Sequence, residues 1–288
     1  MNKNKKIILV AFGSNNLNKS IKRLQFQAEQ SKFYDQIKIF KENDFDQKIK
    51  NFILKIKKKK KRGFGYWIWK PYFVLKVLEE INFGDIVNYT DIGCHIIGEN
   101  KKRFNDYLNI LNNENVWLLP FQYKEDYEIL NNKYHYPRIE EYKFTKSDLF
   151  VYYNCLNNKE IVNTPQFWAG SFFIKKTENS IAFMKQWSDI FFKRFDLIDD
   201  TESKKENHQD FIENRHDQSV FSILCKKNCI TALSAYECDW ALFDNKRTWS
   251  HNINSPILAK RDLKYNILKR FLDRQKKNLK RIKGKLIG

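Results

Sequence analysis

The chain has 288 residues, 42% of them apolar and 16% aromatic, with only 9 glycines and 5 prolines, which supplies enough apolar surface for a packed core and excludes a disordered or low-complexity protein. Its formal charge of +19 is unevenly spread: Lys55 to Arg62 carries seven positive charges and residues 260–288 a net of ten, leaving +2 for the other 251 residues. A nucleic-acid reader would spread its cations over a face or a recognition helix, so nucleic acid is not an expected partner, and the two runs suit a phosphate-rich ligand entrance and an anionic surface instead.

Five cysteines (Cys94, Cys155, Cys225, Cys229 and Cys238) form no Cys-x-x-Cys pair, so neither a disulfide framework nor a zinc ribbon is expected, and a reducing, cytoplasmic compartment fits. Six apolar residues after the amino-terminal lysines are too few for a signal peptide, and no apolar run reaches bilayer-spanning length.

In chain order, Ile7 to Phe12 predicts a buried strand closed by Gly13-Ser14-Asn15, the kind of first strand and turn that seats a base and ribose. No Gly-x-Gly-x-x-Gly or Walker pattern follows it. A helix over 17–31, an alternating strand over 36–40 and a helix over 45–61 come next. The run Arg62-Gly63-Phe64-Gly65-Tyr66-Trp67-Ile68-Trp69-Lys70-Pro71 then combines backbone freedom with cations, a cradle for phosphates, before a helix from Tyr72 to Ile81. Ile86 to Tyr89 predicts a third strand that delivers Asp91 at its carboxyl end, where open α/β sheets bind ligands. This β-α-β-α-β order predicts a largely parallel sheet flanked by helices.

The middle is less regular: a helix over 103–111, a short strand over 117–120 and a loop-rich segment from 121 to 142. Thr145 and Asp148 are spaced as a helix cap. Within Thr164 to Thr177 the small triple Ala169-Gly170-Ser171 stands between Trp168 and a β run, which lets a ligand or another backbone come close to the strand; Ile181 to Phe195 reads as an amphipathic helix, and 199–207 as an exposed loop. The apolar residues Val220, Phe221, Ile223 and Leu224 place His216-Asp217-Gln218 at the first turn of a further helix, where an aspartate is also an ordinary dipole partner.

Asn88-Tyr89-Thr90-Asp91-Ile92-Gly93 after a glycine-rich turn, then Phe167-Trp168-Ala169-Gly170-Ser171 and His216-Asp217-Gln218-Ser219, resembles nucleotide-sugar-dependent glycosyltransferases of the GT-A type, most similar to bacterial enzymes of capsule and lipopolysaccharide assembly. The resemblance covers residues 5–255 and implies a GT-A, Rossmann-like sheet. It implies a nucleoside-diphosphate sugar donor held by Phe12, Ser14, Arg62, Gly63, Tyr66, Lys70, Tyr89 and Asp91, and a sugar or acceptor pocket lined by Trp168, Gly170 and Ser171. Asp217 and Gln218 become the catalytic pair, with Asp217 the general base in an inverting reaction or a support for the donor sugar in a retaining one. The usual Asp-x-Asp for Mn2+ or Mg2+ is here Asp91-Ile92-Gly93, without its second carboxylate. Either Asp91 shares an ion with His251, or Arg62 and Lys70 neutralise the diphosphate unaided.

The chain therefore divides into a domain over 1–258 and a basic amphipathic tail over 259–288. In the tail Leu263, Ile267, Phe271, Leu279, Ile282 and Leu286 recur at helical spacing, the pattern of a helix lying on an anionic membrane, and the expected address is the inner face of the cell membrane, beside a glycan or lipid-linked acceptor. The rival readings are a basic nucleic-acid-binding protein and a catalytically inactive sugar-binding scaffold.

Overall fold

The computed structural model describes residues 5–59, 63–125 and 133–260, with the side chains of residues 57–59 excepted. Six strands form the central sheet: β1 (Ile7–Phe12), β2 (Gln36–Phe40), β3 (Ile86–Thr90), β4 (Leu118–Gln122), β5 (Phe167–Lys175) and β6 (Leu233–Ser234), in the order β2-β1-β3-β5-β4-β6. β1 pairs in parallel with β2 and β3, β4 in parallel with β6, and β5 runs antiparallel between β3 and β4. Five strands thus share one direction, and the expected mostly parallel α/β sheet is present with one reversed strand near its middle.

Alternation along the strands divides the core into two layers. Ile8, Val10, Val87, Tyr89, Phe172 and Ile174 face helices α2 (Gln47–Lys59), α3 (Trp69–Glu80), α5 (Glu178–Lys193) and α6 (Asp217–Lys227). Leu9, Ala11, Ile86, Leu119, Phe121 and Phe173 face α1 (Asn18–Ser31) and α4 (Lys101–Asn112). Helix α1 buries Ile21, Leu24 and Ala28 at the expected spacing, and α5 starts on a reciprocal cap in which Thr177 Oγ1 accepts from Ser180 N at 3.1 Å while Thr177 N donates to Ser180 Oγ at 2.8 Å.

The cap expected at Thr145 is not made. Its hydroxyl donates to the buried carboxylate of Glu141 at 2.6 Å, the helix over Ser147–Tyr152 begins later, and Asp148 instead accepts from the backbone of Lys204 and Lys205 at 2.8 Å. A buried carboxylate outcompetes a local cap because an unsatisfied charge in the interior is costlier than an uncapped turn. No two of the five cysteines form a disulfide, and four are buried. Among the described residues no helix is long and apolar enough to cross a membrane, and the amphipathic tail falls beyond Lys260, outside the described residues.

Candidate active site

The site is built around a left-handed turn. Gly63, Phe64, Gly65, Tyr66 and Trp67 all have positive φ, at 49°, 43°, 88°, 55° and 65°. Glycine adopts this region readily, whereas each of the three other residues is disfavoured by about 1–2 kcal/mol. The surroundings enforce it. Tyr66 is fully buried and donates its phenol to Asp200 Oδ2 at 2.8 Å, while Phe64 packs against Phe12 with ring centroids 5.5 Å apart. The turn feeds directly into α3, whose first residues Trp69, Lys70 and Pro71 thereby reach the carboxyl ends of β1 and β3. Proline in this first turn removes only an amide that has no helical partner.

Lys70, 4% exposed, is enclosed by two carboxylates. Its ammonium lies 2.9 Å from Asp217 Oδ2 and 3.5 Å from Asp91 Oδ1, and it donates to Ala169 O at 3.2 Å. Asp91 follows β3 directly; its backbone N–H donates to Gly170 O at 2.8 Å, and its Oδ1 accepts from the Tyr89 phenol at 2.7 Å. Burial and the neighbouring Asp91 push the Tyr89 phenol well above its ordinary pKa, so it remains a donor. Trp69 Nε1 in turn donates to the Tyr89 oxygen at 3.2 Å. Asp217 opens α6, where the dipole favours an anion, yet burial pushes its carboxyl up to about 6 against the opposing pull of Lys70. This is a carboxylate tuned toward neutral pH, as general acid–base chemistry requires.

A cavity of about 250 Å³ opens beside this centre, lined by Phe12, Ser14, Leu17, Ser20, Gly63, Phe64, Trp67, Trp69, Asp91, Ile92 and Gly93. Phe12 stacks on Trp69 at 4.7 Å. Aromatic walls with a carboxylate and hydroxyls at the rim suit a flat heteroaromatic ring carrying a diol. Of the residues expected to hold a donor, Phe12, Ser14, Gly63 and Asp91 line the cavity. Lys70 and Tyr89 stand behind Asp91, and Tyr66 props the turn. Arg62 lies outside the described residues.

The other expected site residues are placed elsewhere. β5 turns Trp168 to the face of the sheet that packs on α1 and α4, away from Phe167 and Ala169, and its indole lies across Gly170, where an added Cβ would come 2.3 Å from the ring. Ser171 is fully buried and donates to Tyr89 O at 3.0 Å inside the sheet. Neither lines the cavity. Gln218 is half-buried: its Oε1 accepts from Ala169 N at 3.4 Å and its Nε2 donates to Gln166 Oε1 at 2.7 Å.

His251 sits against Tyr134 and Tyr136, with Nε2 3.0 Å from Tyr236 O. Burial lowers its pKa, so the ring is neutral and Nε2 carries the proton. Among the described residues no three His, Cys, Asp or Glu side chains converge as metal ligands, and Oδ1 of Asp91 is engaged by a phenol and an ammonium. Mg2+ is commonly held by one or two carboxylates together with substrate phosphate oxygens and water, and the cavity lining offers one carboxylate, Asp91, rather than a preformed cage. Lys70 supplies the positive charge at this point.

Two supports were not visible in the sequence. His216, at φ 57°, stacks on Trp67 at 5.4 Å and its Nδ1 lies 2.6 Å from Ile198 O, locking the residue before Asp217 to the turn. Glu141, fully buried, accepts from Lys226 Nζ at 2.7 Å and from Gln166 Nε2 at 3.0 Å, which fixes the amide that orients Gln218.

No family model matches the chain, and no curated protein matches it in sequence. Among solved structures it is similar to a glycosyltransferase involved in the glycosylation of the major capsid of PBCV-1, at 8% identity over 92% of this chain and 96% of that one with a TM-score of 0.45. It is also similar to mouse xyloside xylosyltransferase 1 in its apo form (9% identity, 82% and 86% covered, TM-score 0.41) and to the galactosyltransferase LgtC in complex with donor and acceptor sugar analogs (15%, 81% and 75%, 0.35). Likenesses this distant, each with a TM-score below 0.5, say nothing of this chain's activity or substrate.

Proposed function

We propose that this protein is a glycosyltransferase that moves a sugar from a nucleoside-diphosphate donor to a growing surface glycan of the capsule or lipopolysaccharide type. The observation that carries the reading is the convergence of Asp91 and Asp217, 126 positions apart in sequence, on the single ammonium of Lys70 beside an aromatic cavity at the strand ends. In this reading the base and ribose occupy the cavity, with Trp67, Trp69 and Phe12 as walls and Asp91 at the ribose. The diphosphate lies toward Lys70, whose charge offsets the negative charge that builds on the departing nucleotide. Asp217 takes the proton of the acceptor hydroxyl, with a pKa matched to that task. The basic residues of 260–288 hold the enzyme at an anionic membrane on the cytoplasmic face, where a lipid-linked acceptor is presented.

The test is a panel of nucleoside-diphosphate sugars incubated with the full chain, with and without Mn2+, read by release of free nucleotide and by thermal stabilisation. Turnover of one donor supports the reading. Stabilisation without turnover favours the inactive sugar-binding scaffold. Nucleic-acid binding with a steep salt slope and no response to any nucleotide sugar would overturn it.

A further inference from the structure

Arg215 lies two residues before Asp217, and its backbone is fixed from both sides: its N–H donates to Phe144 O at 2.9 Å and its C=O accepts from Gln218 N at 3.1 Å. The guanidinium is half-buried and stacks 3.9 Å over the ring centroid of Phe144. It makes no hydrogen bond and no ion pair with any described residue. Other enclosed cations behave differently: Lys70 meets Asp217, Lys226 meets Glu141 and Arg103 meets Glu237. A fully buried arginine is almost always paired; this half-buried one is held by the ring of Phe144, with its N–H donors unengaged among the described residues.

Its position is as informative as the lack of such a partner among the described residues. The charge of Arg215 is felt by the carboxyl of Asp239 and the phenol of Tyr123, which places the guanidinium beside the ends of β4 and β6. The aromatic cavity lies over the ends of β1 and β3, on the other half of the same sheet edge, with Lys70 and Asp217 between the two. Asp239 makes no ion pair with the arginine. Its carboxyl accepts from Tyr123 OH at 2.9 Å and from Trp240 N at 2.8 Å, and burial raises its pKa against the opposing pull of those donors and of the Arg215 charge.

We propose that Arg215 binds an anionic group, a carboxylate or a phosphate, on the acceptor, so that the preferred acceptor is an acidic or phosphorylated glycan. The proposal rests on the glycosyltransferase reading. A stacked guanidinium is pre-oriented, and its planar fork of N–H donors matches two oxygens of a carboxylate or phosphate in a way that a lysine cannot. The acceptor's anion then sits on the β4 side of the reaction centre, which presents a neighbouring hydroxyl to Asp217.

The test measures affinities of the full chain at low salt for three probes: 4-nitrophenyl β-glucuronide, 4-nitrophenyl β-glucoside and mannose 6-phosphate. Wild-type protein is expected to bind at least one of the two anionic probes at least tenfold more tightly than the neutral glucoside, and which one it prefers separates a carboxylate from a phosphate. Arg215→Gln should reduce that probe to the level of the glucoside, and Arg215→Lys should fall between, since it keeps the charge and loses the fork. Thermal unfolding of both variants identifies any folding defect, and in that case the wild-type ratio alone decides. Equal binding of all three probes by wild-type protein, or anionic binding unchanged in a folded Arg215→Gln, would overturn the proposal. Binding of UDP, GDP, ADP, CDP and dTDP to wild-type protein is read in parallel: failure of all five counts against the nucleotide-sugar reading, while the probe ratios address Arg215 alone.

Discussion

Replacing Lys70 by methionine removes the one ammonium between two carboxylates while keeping the length of the side chain. Lys70 Nζ is 2.9 Å from Asp217 and 3.5 Å from Asp91, and breaking a buried pair on one side commonly destabilises by about 3–5 kcal/mol. Here the loss depends on pH. The carboxyl of Asp217 is already raised from 3.8 to about 6 by burial, so the folded state holds its proton more tightly than the unfolded chain, and stability falls as pH rises through that window. Without Lys70 the pKa rises further and the window extends upward. Each additional pH unit is about 1.4 kcal/mol, so over two units the variant loses up to about 3 kcal/mol more than wild type by pH 8. At pH 5 the carboxyl is largely protonated in both proteins and this contribution nearly vanishes. Urea unfolding at pH 5 and pH 8 should therefore show a Lys70→Met loss about 3 kcal/mol larger at pH 8, and adding Asp217→Asn should remove the pH dependence. An equal loss at both pH values would refute the coupling of Lys70 to an ionising Asp217.

Three further outcomes are expected. If Asp217 must be ionised to act, turnover at saturating donor falls about tenfold per pH unit below about 6 and is flat above it; a profile level down to pH 5 would remove Asp217 as base. Gly170→Ala places a methyl group 2.3 Å from the Trp168 ring, an overpacking that should destabilise by about 1–3 kcal/mol in thermal or urea unfolding, and an unchanged midpoint would mean that the indole swings clear. Removing residues 260–288 should abolish co-sedimentation with phosphatidylserine vesicles at low salt, whereas co-sedimentation equal to that of the full chain would show that the tail is not the anchor.

The parts of the fold carried by periodicity were legible in the sequence. The apolar run of β1, the alternation of β2 and the three-and-four spacing in α1 and α3 each specify an element from within a dozen residues. The reversed direction of β5 was not. All nine of its residues are buried, so no alternation marks its faces, and its pairing partners Ile86–Thr90 and Leu118–Gln122 lie dozens of positions upstream. The glycines of the 63–67 turn were visible, but the positive φ of Phe64, Tyr66 and Trp67 depends on Asp200 and His216, which only the tertiary structure brings there. The same reason hid Glu141 and Gln166, two polar residues in an irregular stretch whose common purpose appears once Lys226 and Gln218 close around them. The resemblance places Trp168 in a pocket, whereas strand alternation, a one-residue matter, sends its side chain to the opposite layer.

In the proposed reaction Asp217 acts at a nucleotide cavity that it does not itself build. The deciding measurement is calorimetric affinity for the nucleoside diphosphate of the donor that the panel identifies, together with turnover of that donor, on wild-type protein and on Asp217→Asn. The variant is expected to bind that nucleotide within a few-fold of wild type while turnover falls by at least a hundredfold. Turnover at the wild-type rate in a variant of unchanged nucleotide affinity would contradict the role of Asp217.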